Sequence, residues 1–209
     1  MKENKRTVKL KICGLSRYED MEAINVWTPD YIGFVFAKSR RQVTGERARE
    51  LKKALNSNIT AVGVFADQDP SMIIGLLLEG TIDIAQLHGQ ESEETVRRIQ
   101  KEAGKPVIKA ISVKGSTDVQ VFAESSAEYL LFDNGAGGTG EQFDWNLLKE
   151  IDKPWFLAGG IGLHNIREAL GRYPWAVDLS SGVETDGRKD AVKIEQIVKA
   201  VRRFNGQEG

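Results

Sequence analysis

Two residues that follow short apolar runs in this 209-residue sequence could carry out acid–base chemistry. Cys13 ends the run Val8–Ile12, and Asp133 ends the run Tyr129–Phe132. A carboxylic acid can donate a proton and a thiolate can remove one, so such a pair would suit proton transfer. The simpler alternatives are that Cys13 is a small buried residue and that Asp133 caps a turn.

Four more polar side chains occur at comparable positions. Gln86 and His88 alternate near the end of one apolar run, and Asp178 lies within the last run. Arg41 follows the second run, where an arginine could bind a carboxylate through two parallel hydrogen bonds. We expect these side chains to face a common mouth, although His88 could be a hydrogen-bonded core residue and the pair Arg40–Arg41 a solvated surface.

Three glycine-rich turns occur late in the chain: Gly135–Gly140, Ala158–Ile161 and Ser180–Gly182. Glycine lets backbone N–H groups approach an anion closely, and a following helix N-terminus adds positive partial charge. These turns favour a phosphorylated small molecule as the ligand. The first turn also fits the dinucleotide-binding pattern, but it occurs late in the chain and the next apolar run has no acidic end.

The elements that must position these residues follow from eight short runs of β-branched and aromatic residues, separated by charged stretches with helical spacing. The runs are Val8–Ile12, Tyr31–Phe36, Ile59–Phe65, Ile82–Leu87, Val107–Ile111, Tyr129–Phe132, Trp155–Ala158 and Ala176–Leu179. Eight strand–helix units predict an α/β protein with a single (β/α)8 TIM barrel, and a doubly wound open sheet is the competing architecture. In the barrel, the carboxyl ends of all strands meet at one mouth.

The helices between the runs are predicted from apolar stripes and caps. Stripes at Met72–Leu77 and Ile194–Val201 indicate two of them, and Asp69 is expected to cap the first of these two. Ser16 is expected to cap the first helix of the chain with Glu19 completing a capping box. Weaker helix predictions begin near four residues: Thr44, Ser116, Asp144 and Leu163.

Composition restricts the classes of function. The formal net charge of −1 leaves no basic surface for nucleic acid, and no run reaches the roughly 18 apolar residues of a membrane span. One cysteine excludes an internal disulfide, which points to the cytoplasm. With two histidines it leaves little for a zinc site, whereas a magnesium site built from carboxylates alone stays open. Residues 1–209 are expected to form one domain, with 1–7 and 205–209 as loose termini.

Taken together, the motifs at the strand ends resemble the phosphoribosylanthranilate isomerases of tryptophan biosynthesis. The matching segments are Lys11–Gly14, Lys38–Val43, Gln86–Gly89, Gly137–Gly140 with Phe143–Trp145, Ala158–Ile161 and Asp178–Glu184. The resemblance implies a (β/α)8 barrel that converts N-(5-phosphoribosyl)anthranilate to 1-(2-carboxyphenylamino)-1-deoxyribulose 5-phosphate. This reaction is an Amadori rearrangement that uses neither a metal nor an organic cofactor.

The resemblance also implies residue roles, with Cys13 as the general base and Asp133 as the general acid. Arg41 would bind the anthranilate carboxylate, although Arg40 stands beside it where many relatives have proline. Gln86, His88 and Asp178 would line the substrate pocket. The phosphate would be held by Gly138, Thr139, Gly140, Gly159, Gly160, Ser180, Ser181 and Gly182. We expect a small phosphosugar as the partner and a monomer or weak homodimer as the assembly.

Two rival functions remain open from the sequence, namely a related barrel isomerase for another phosphoribosyl aminoketose and a phosphate-binding module without catalysis. Histidine-pathway isomerases resemble the first but rely on two aspartates, and Cys13 stands where their first aspartate would be. A thiol has a pKa near ~8.5, so Cys13 needs something that stabilises its thiolate. Lys11 shares the same strand face and is one candidate.

Overall fold

A computed structural model describes residues 7–113, 124–134, 143–148 and 151–207. Eight parallel strands form a closed barrel in sequence order. They are β1 (Lys9–Cys13), β2 (Tyr31–Val35), β3 (Thr60–Phe65), β4 (Ile84–Leu87), β5 (Val107–Ser112), β6 (Tyr129–Asp133), β7 (Trp155–Leu157) and β8 (Ala176–Leu179). Because β1 pairs with both β2 and β8, the sheet has no open edge. The barrel prediction is confirmed and the open sheet is excluded.

Helices cover the outside of the barrel. In the described part of the chain they are α1 (Tyr18–Trp27), α2 (Gly45–Ala54), α3 (Pro70–Leu78), α4 (Glu93–Ala103), α5 (Ile166–Leu170) and α6 (Ala191–Phe204). Short 3-10 turns occur at Trp145–Leu147 and Ser181–Val183, and a small antiparallel hairpin joins β9 (Glu184–Thr185) to β10 (Arg188–Lys189). None of these helices has the length and apolar content needed to cross a lipid bilayer.

Most helix predictions are confirmed. Thr44 caps α2, and Asp69 caps α3 by accepting a hydrogen bond from the Ser71 N–H at 2.9 Å. The segment predicted near Ser116 lies outside the described residues. Asp144 caps only a 3-10 turn, and the helix predicted near Leu163 begins later, at Ile166.

The predicted cap of the first helix is wrong. Helix α1 begins at Tyr18, and the Asp20 carboxylate, not a Ser16 hydroxyl, completes its first turn. One carboxylate oxygen of Asp20 accepts hydrogen bonds from the N–H groups of Ser16 and Arg17, at 2.9 and 3.0 Å. A carboxylate within the first turn can accept two N–H groups at once, and its negative charge favours the helix N-terminus.

Side-chain alternation separates two apolar layers. On β1, Leu10 and Ile12 are buried against the helices, as predicted, whereas Lys11 and Cys13 point into the barrel. The barrel interior contains a separate set of buried apolar residues: Tyr31, Val62, Ile84, Ile108, Ala110, Leu131, Phe156, Ala158 and Ala176. The polar residues that line the cavity lie toward the carboxyl ends of the strands.

The observed strand ends fix the chemistry-bearing residues more firmly than predicted. β1 extends through Cys13 and β6 through Asp133, so both residues are held by strand pairing. At the other end of the barrel, Asn205 accepts the Val8 N–H at 3.0 Å and donates to the Val8 carbonyl at 2.9 Å. The C-terminal tail is therefore anchored at Asn205, and residues 1–6 and 208–209 lie outside the described part.

Candidate active site

A cavity of about 360 Å³ opens at the carboxyl ends of the strands. It collects most of the residues that the sequence singled out: Cys13, Arg41, Gln86, His88, Asp133, Gly159, Gly160, Asp178, Ser180 and Ser181. They come from β1, β4, β6 and β8 and from the loops after β2, β4, β7 and β8. The predicted phosphate-binding residues Gly138, Thr139 and Gly140 lie outside the described residues. Gly182 instead packs against Gly162, so it brings the loops after β7 and β8 together.

Cys13 has space for its thiol because the neighbouring strand carries a glycine at the paired position. Cys13 pairs with Gly33 in the β1–β2 ladder. A Cβ on Gly33 would lie 2.6 Å from the Cys13 sulfur, so any side chain there would displace the thiol. Sequence reasoning missed Gly33, although a glycine inside a strand is a signal of close approach by another group.

Asp133 lies on the opposite side of the cavity mouth in a chain of polar contacts. The Gln86 amide nitrogen lies 3.1 Å from His88 Nδ1, and His88 Nε2 lies 3.6 Å from the Asp133 carboxylate. With the amide donating to Nδ1, a neutral imidazole carries its hydrogen on Nε2, facing Asp133. Gln86 and His88 share one face, as predicted, and together they lead from β4 to the Asp133 carboxyl group.

Asp178 and Lys11 form a buried ion pair beneath the cavity. The Lys11 ammonium lies 2.7 Å from one Asp178 carboxylate oxygen, and the Lys11 side chain is fully buried. The other oxygen of Asp178 is buried and has no hydrogen-bond partner among the described residues. The same is true of the amide oxygen of Gln86. Buried acceptors without a donor are costly, so both are suited to accept hydroxyl groups of a bound sugar.

Opposing effects act on the Cys13 thiol. Burial raises its pKa, and Asp178 acts in the same direction, whereas Lys11 and Lys189 lower it. The net shift is upward, so the thiol of the unliganded site is mostly protonated near neutral pH. A base with a raised pKa is less often ionised but is stronger when it is ionised.

Three cationic side chains surround one buried carboxylate at the cavity rim. Glu184 accepts two hydrogen bonds from Arg41, at 2.6 and 2.8 Å, and one from Arg40 at 2.7 Å. The Lys189 ammonium lies 2.7 Å from the same carboxylate. With one negative and three positive charges, this cluster has a positive excess that suits an anionic ligand.

The contacts between Glu184 and the cationic side chains also shift the pKa values of the groups in this cluster. Burial alone would raise the pKa of Glu184, but the hydrogen bonds from Arg41 and Lys189 outweigh it and lower the pKa. The hydrogen bonds to Glu184 raise the pKa of Arg41. Burial lowers the pKa of Lys189 despite its contact with Glu184. Sequence reasoning missed Lys189 and the role of Glu184, because nothing in the chain signals that the hairpin β9–β10 folds against the loop after β2.

The loops after β7 and β8 line one wall of the cavity with glycine and serine residues. Gly159 and Gly160 both have positive φ angles, 86° and 64°, which glycine adopts without strain. Asn165 holds this turn by accepting the Gly162 N–H at 2.8 Å and donating to the Gly160 carbonyl at 3.0 Å. The Ser180 hydroxyl donates to the Cys13 carbonyl at 3.1 Å, so the same wall is attached to the end of β1.

A second buried ion pair supports the loop that carries His88. The Lys109 ammonium lies 2.9 Å from the Glu91 carboxylate, and both side chains are buried. Glu91 also accepts the N–H groups of Asp67 and Gly89, each at 2.9 Å. Burial would raise the pKa of Glu91, but these hydrogen bonds outweigh it and lower the pKa. Sequence reasoning missed this pair, since Lys109 lies inside an otherwise apolar strand.

Comparison with known proteins agrees with this geometry. The family model described as N-(5'phosphoribosyl)anthranilate (PRA) isomerase matches residues 10–200. The curated N-(5'-phosphoribosyl)anthranilate isomerase of Endomicrobium trichonymphae is 45% identical over 199 residues, which cover 93% of this chain and 98% of that protein.

Solved structures give the same result. The phosphoribosyl anthranilate isomerase of Thermus thermophilus is 35% identical and superimposes with a TM-score of 0.86, over 94% of this chain and 100% of that one. A phosphoribosyl anthranilate isomerase in complex with reduced 1-(o-carboxyphenylamino)-1-deoxyribulose 5-phosphate is 32% identical, with a TM-score of 0.83 over 94% and 99% of the two chains.

The lowered pKa of Glu91 predicts a specific pH dependence of stability. The Glu91 charge stabilises the fold above its unfolded-state pKa, near ~4.3, and this contribution is lost as pH falls through the folded-state pKa. Glu91→Gln should therefore lose about 3–5 kcal/mol of unfolding free energy at neutral pH, because Lys109 is left buried without its partner. The variant's stability should then fall less steeply than that of the wild type on acidification.

Urea unfolding at neutral and acidic pH measures both effects. Glu79→Gln is the matched control, since Glu79 pairs at 2.9 Å with Arg49 but both side chains are about half exposed. This control should lose no more than about 1 kcal/mol. Parallel pH profiles for Glu91→Gln and the wild type would contradict the assignment.

Proposed function

The chain belongs to the N-(5'-phosphoribosyl)anthranilate isomerase family, and we propose that it isomerises its substrate with Cys13 as general base and Asp133 as general acid. It is an isomerase of tryptophan biosynthesis that converts N-(5-phosphoribosyl)anthranilate to 1-(2-carboxyphenylamino)-1-deoxyribulose 5-phosphate. The observation that carries the proposed roles is the placement of both side chains in the lining of one cavity, at the ends of β1 and β6.

Ring opening is assigned to Asp133. The carboxylic acid donates its proton to the ring oxygen of the ribose while the bond between that oxygen and C1 breaks. Nitrogen then shares its electron pair with C1, which gives a protonated Schiff base and leaves Asp133 as a carboxylate. His88, 3.6 Å from that carboxylate, faces the charge that develops on Asp133.

Proton removal is assigned to Cys13. The protonated Schiff base makes the hydrogen on C2 of the sugar acidic, and the thiolate takes it to give an enolamine. The enolamine then loses the proton of the C2 hydroxyl and gains one on C1, which yields the ketone. Every hydrogen lost at C2 and its oxygen is regained at C1 and the former ring oxygen, so the product is an isomer and no electron acceptor is needed.

The remaining cavity residues are assigned to the two anionic ends of the substrate. Arg41 binds the anthranilate carboxylate, since Glu184 engages only two of the five N–H groups of its guanidinium. Gly159, Gly160, Ser180 and Ser181 bind the phosphate through their backbone N–H groups. Gln86 and Asp178 accept sugar hydroxyls with the oxygens that have no partner in the described part of the chain. Gly138, Thr139, Gly140 and Gly182 complete the proposed phosphate site.

Substitution of the acid and the base should abolish most of the activity. Cys13→Ala and Asp133→Asn are each expected to reduce kcat by about 10²–10⁴, because each removes one proton-transfer step. The measurement is the loss of anthranilate-type fluorescence from freshly made phosphoribosylanthranilate, with EDTA present so that the assay also tests metal independence. Circular dichroism reports whether the fold persists.

Asp69→Asn provides the control for this assay. Asp69 caps α3 outside the cavity, and an asparagine oxygen can accept the same Ser71 N–H. Its activity should stay within about twofold of the wild type, as expected of an exposed surface substitution. Near-normal rates in both active-site variants would refute the assigned roles.

The two adjacent arginines should differ in their contribution to binding. The Arg41 side chain is 13% exposed and lines the cavity, whereas the Arg40 side chain is 57% exposed. Arg41→Met should raise KM by roughly 10–100-fold, because a charge-assisted hydrogen-bond pair is lost. Arg40→Met should change KM by less than about threefold.

Product analogues with and without the aromatic carboxylate sharpen this comparison. In the wild type and in Arg40→Met, the analogue with the carboxylate should bind more tightly. In Arg41→Met this preference should disappear, which a general loss of structure would not produce. An undiminished preference in Arg41→Met would rule out the assignment.

We also propose that the chain is a cytoplasmic, single-domain protein and a monomer or weak homodimer. Its one cysteine and its biosynthetic role support the location. Strongly exposed apolar side chains lie on different elements, for example Val26 on α1, Leu78 on α3 and Val192 on α6. Sedimentation velocity over a range of protein concentrations should give a monomer that dimerises weakly at most, and a dimer that persists on dilution would contradict this proposal.

A further inference from the structure

The cation with the largest effect on the pKa of the proposed base comes from the interior of the barrel. Lys11 is two residues before Cys13 on β1, so both side chains point into the barrel. The Lys11 ammonium lowers the pKa of the Cys13 thiol, and it lies 2.7 Å from Asp178. It therefore lies on the same inner face of β1 as the thiol, one position deeper in the barrel.

The position of the Lys11 ammonium is fixed by strand pairing. Lys11 and Asp178 are paired residues in the β1–β8 ladder, and their side chains meet at 2.7 Å inside the barrel. A fully buried ammonium is costly unless it is paired and hydrogen-bonded, which Asp178 provides. This pair is not needed to fill space, since an apolar pair of similar volume would stabilise the barrel at least as well.

Charged groups face Cys13 from four elements. Lys11 approaches from β1, Asp178 from β8, Lys189 from β10 and Arg41 from the loop after β2. The effect of Lys11 on the thiol is larger than that of Asp178 or Lys189. Lys189 is also bound to Glu184, and Arg41 is paired with the same carboxylate. Lys11 is thus the cation best placed to respond to a charge on sulfur.

We infer that Lys11 is a positioning residue that stabilises the thiolate of Cys13, with Asp178 holding the ammonium beneath the sulfur. The inference rests on the proposed function, because it explains how a half-buried thiol with a raised pKa can ionise within the reaction cycle. When Cys13 loses its proton, the negative charge forms next to an ammonium that is already in place, and little reorganisation is required.

Thiol alkylation directly tests whether Lys11 stabilises the Cys13 thiolate, because Cys13 is the only cysteine in the chain. The rate of reaction with iodoacetamide follows the thiolate fraction, so its dependence on pH gives the ionisation midpoint. Lys11→Met should raise this midpoint by about 1–3 pH units and slow alkylation below it by at least about tenfold. An unchanged midpoint would overturn the inference.

A second variant covers the case in which Lys11→Met does not fold because Asp178 is left unpaired. Lys11→Met combined with Asp178→Asn removes both charges and keeps the interior neutral. Since Lys11 affects the Cys13 pKa more than Asp178 does, the midpoint should still rise in this double variant. A midpoint at or below that of the wild type would contradict the inference.

Lys9→Met is the matched control, because it makes the same change on the same face of β1. Lys9 lies toward the other end of the barrel, with its ammonium 4.3 Å from the centre of the Trp175 ring. The alkylation midpoint of this control should equal that of the wild type. A shift equal to that of Lys11→Met would show a general effect of charge removal and overturn the inference.

The same experiments separate the inference from the proposed function. If Cys13→Ala remains active while Lys11→Met shifts the alkylation midpoint, the proposed base is wrong and the Lys11 inference stands. If Cys13→Ala is inactive and the midpoint does not move, the base stands and the Lys11 inference fails. If the proposed base and the Lys11 inference are both correct, the pH at which kcat/KM rises should increase in Lys11→Met by the same amount as the alkylation midpoint.

Discussion

Pairing between β1 and β8 is the constraint on which the rest of the site depends. This ladder closes the barrel and sets Lys11 against Asp178, so that the first and last strands share a buried ion pair. Closure places the carboxyl ends of all strands around one mouth. A thiol from β1 and a carboxyl group from β6 then face the same cavity, which neither could do in an open sheet with two separate edges.

The interior of the barrel is divided by polarity. Apolar side chains such as Phe156 and Leu131 fill part of it, and the ionisable groups that line the cavity lie toward the carboxyl ends of the strands. The side chains of Lys11, Lys109 and Lys189 are buried, and each is paired with a carboxylate, which reduces the desolvation penalty of its charge. The unpaired acceptor oxygen of Asp178 is different, since it stays available for a ligand.

Charged and hydrogen-bonded groups link the rim of the cavity to the end of β1. The cluster around Glu184 concentrates positive charge at the cavity rim, and Lys189 links that cluster to the Ser180 carbonyl at 2.9 Å. Ser180 is in turn hydrogen-bonded to the end of β1. Carboxylate recognition, phosphate recognition and the proposed base are therefore held in one hydrogen-bonded framework, so that substrate binding and proton transfer depend on the same loops.

The sequence by itself determined the barrel and most of the site. Eight apolar runs specify the strands, and alternation along each run already places Cys13, Gln86 and Asp178 on the inner face. Only the tertiary structure decided which groups pair, because Arg41 and Glu184 are more than 140 residues apart and meet only when the hairpin β9–β10 folds over the cavity rim. It likewise decided that Gly33 makes room for the thiol and that Asp20 caps α1. The physical reason is that periodicity fixes the direction of a side chain, whereas its partners and its burial depend on closure of the barrel.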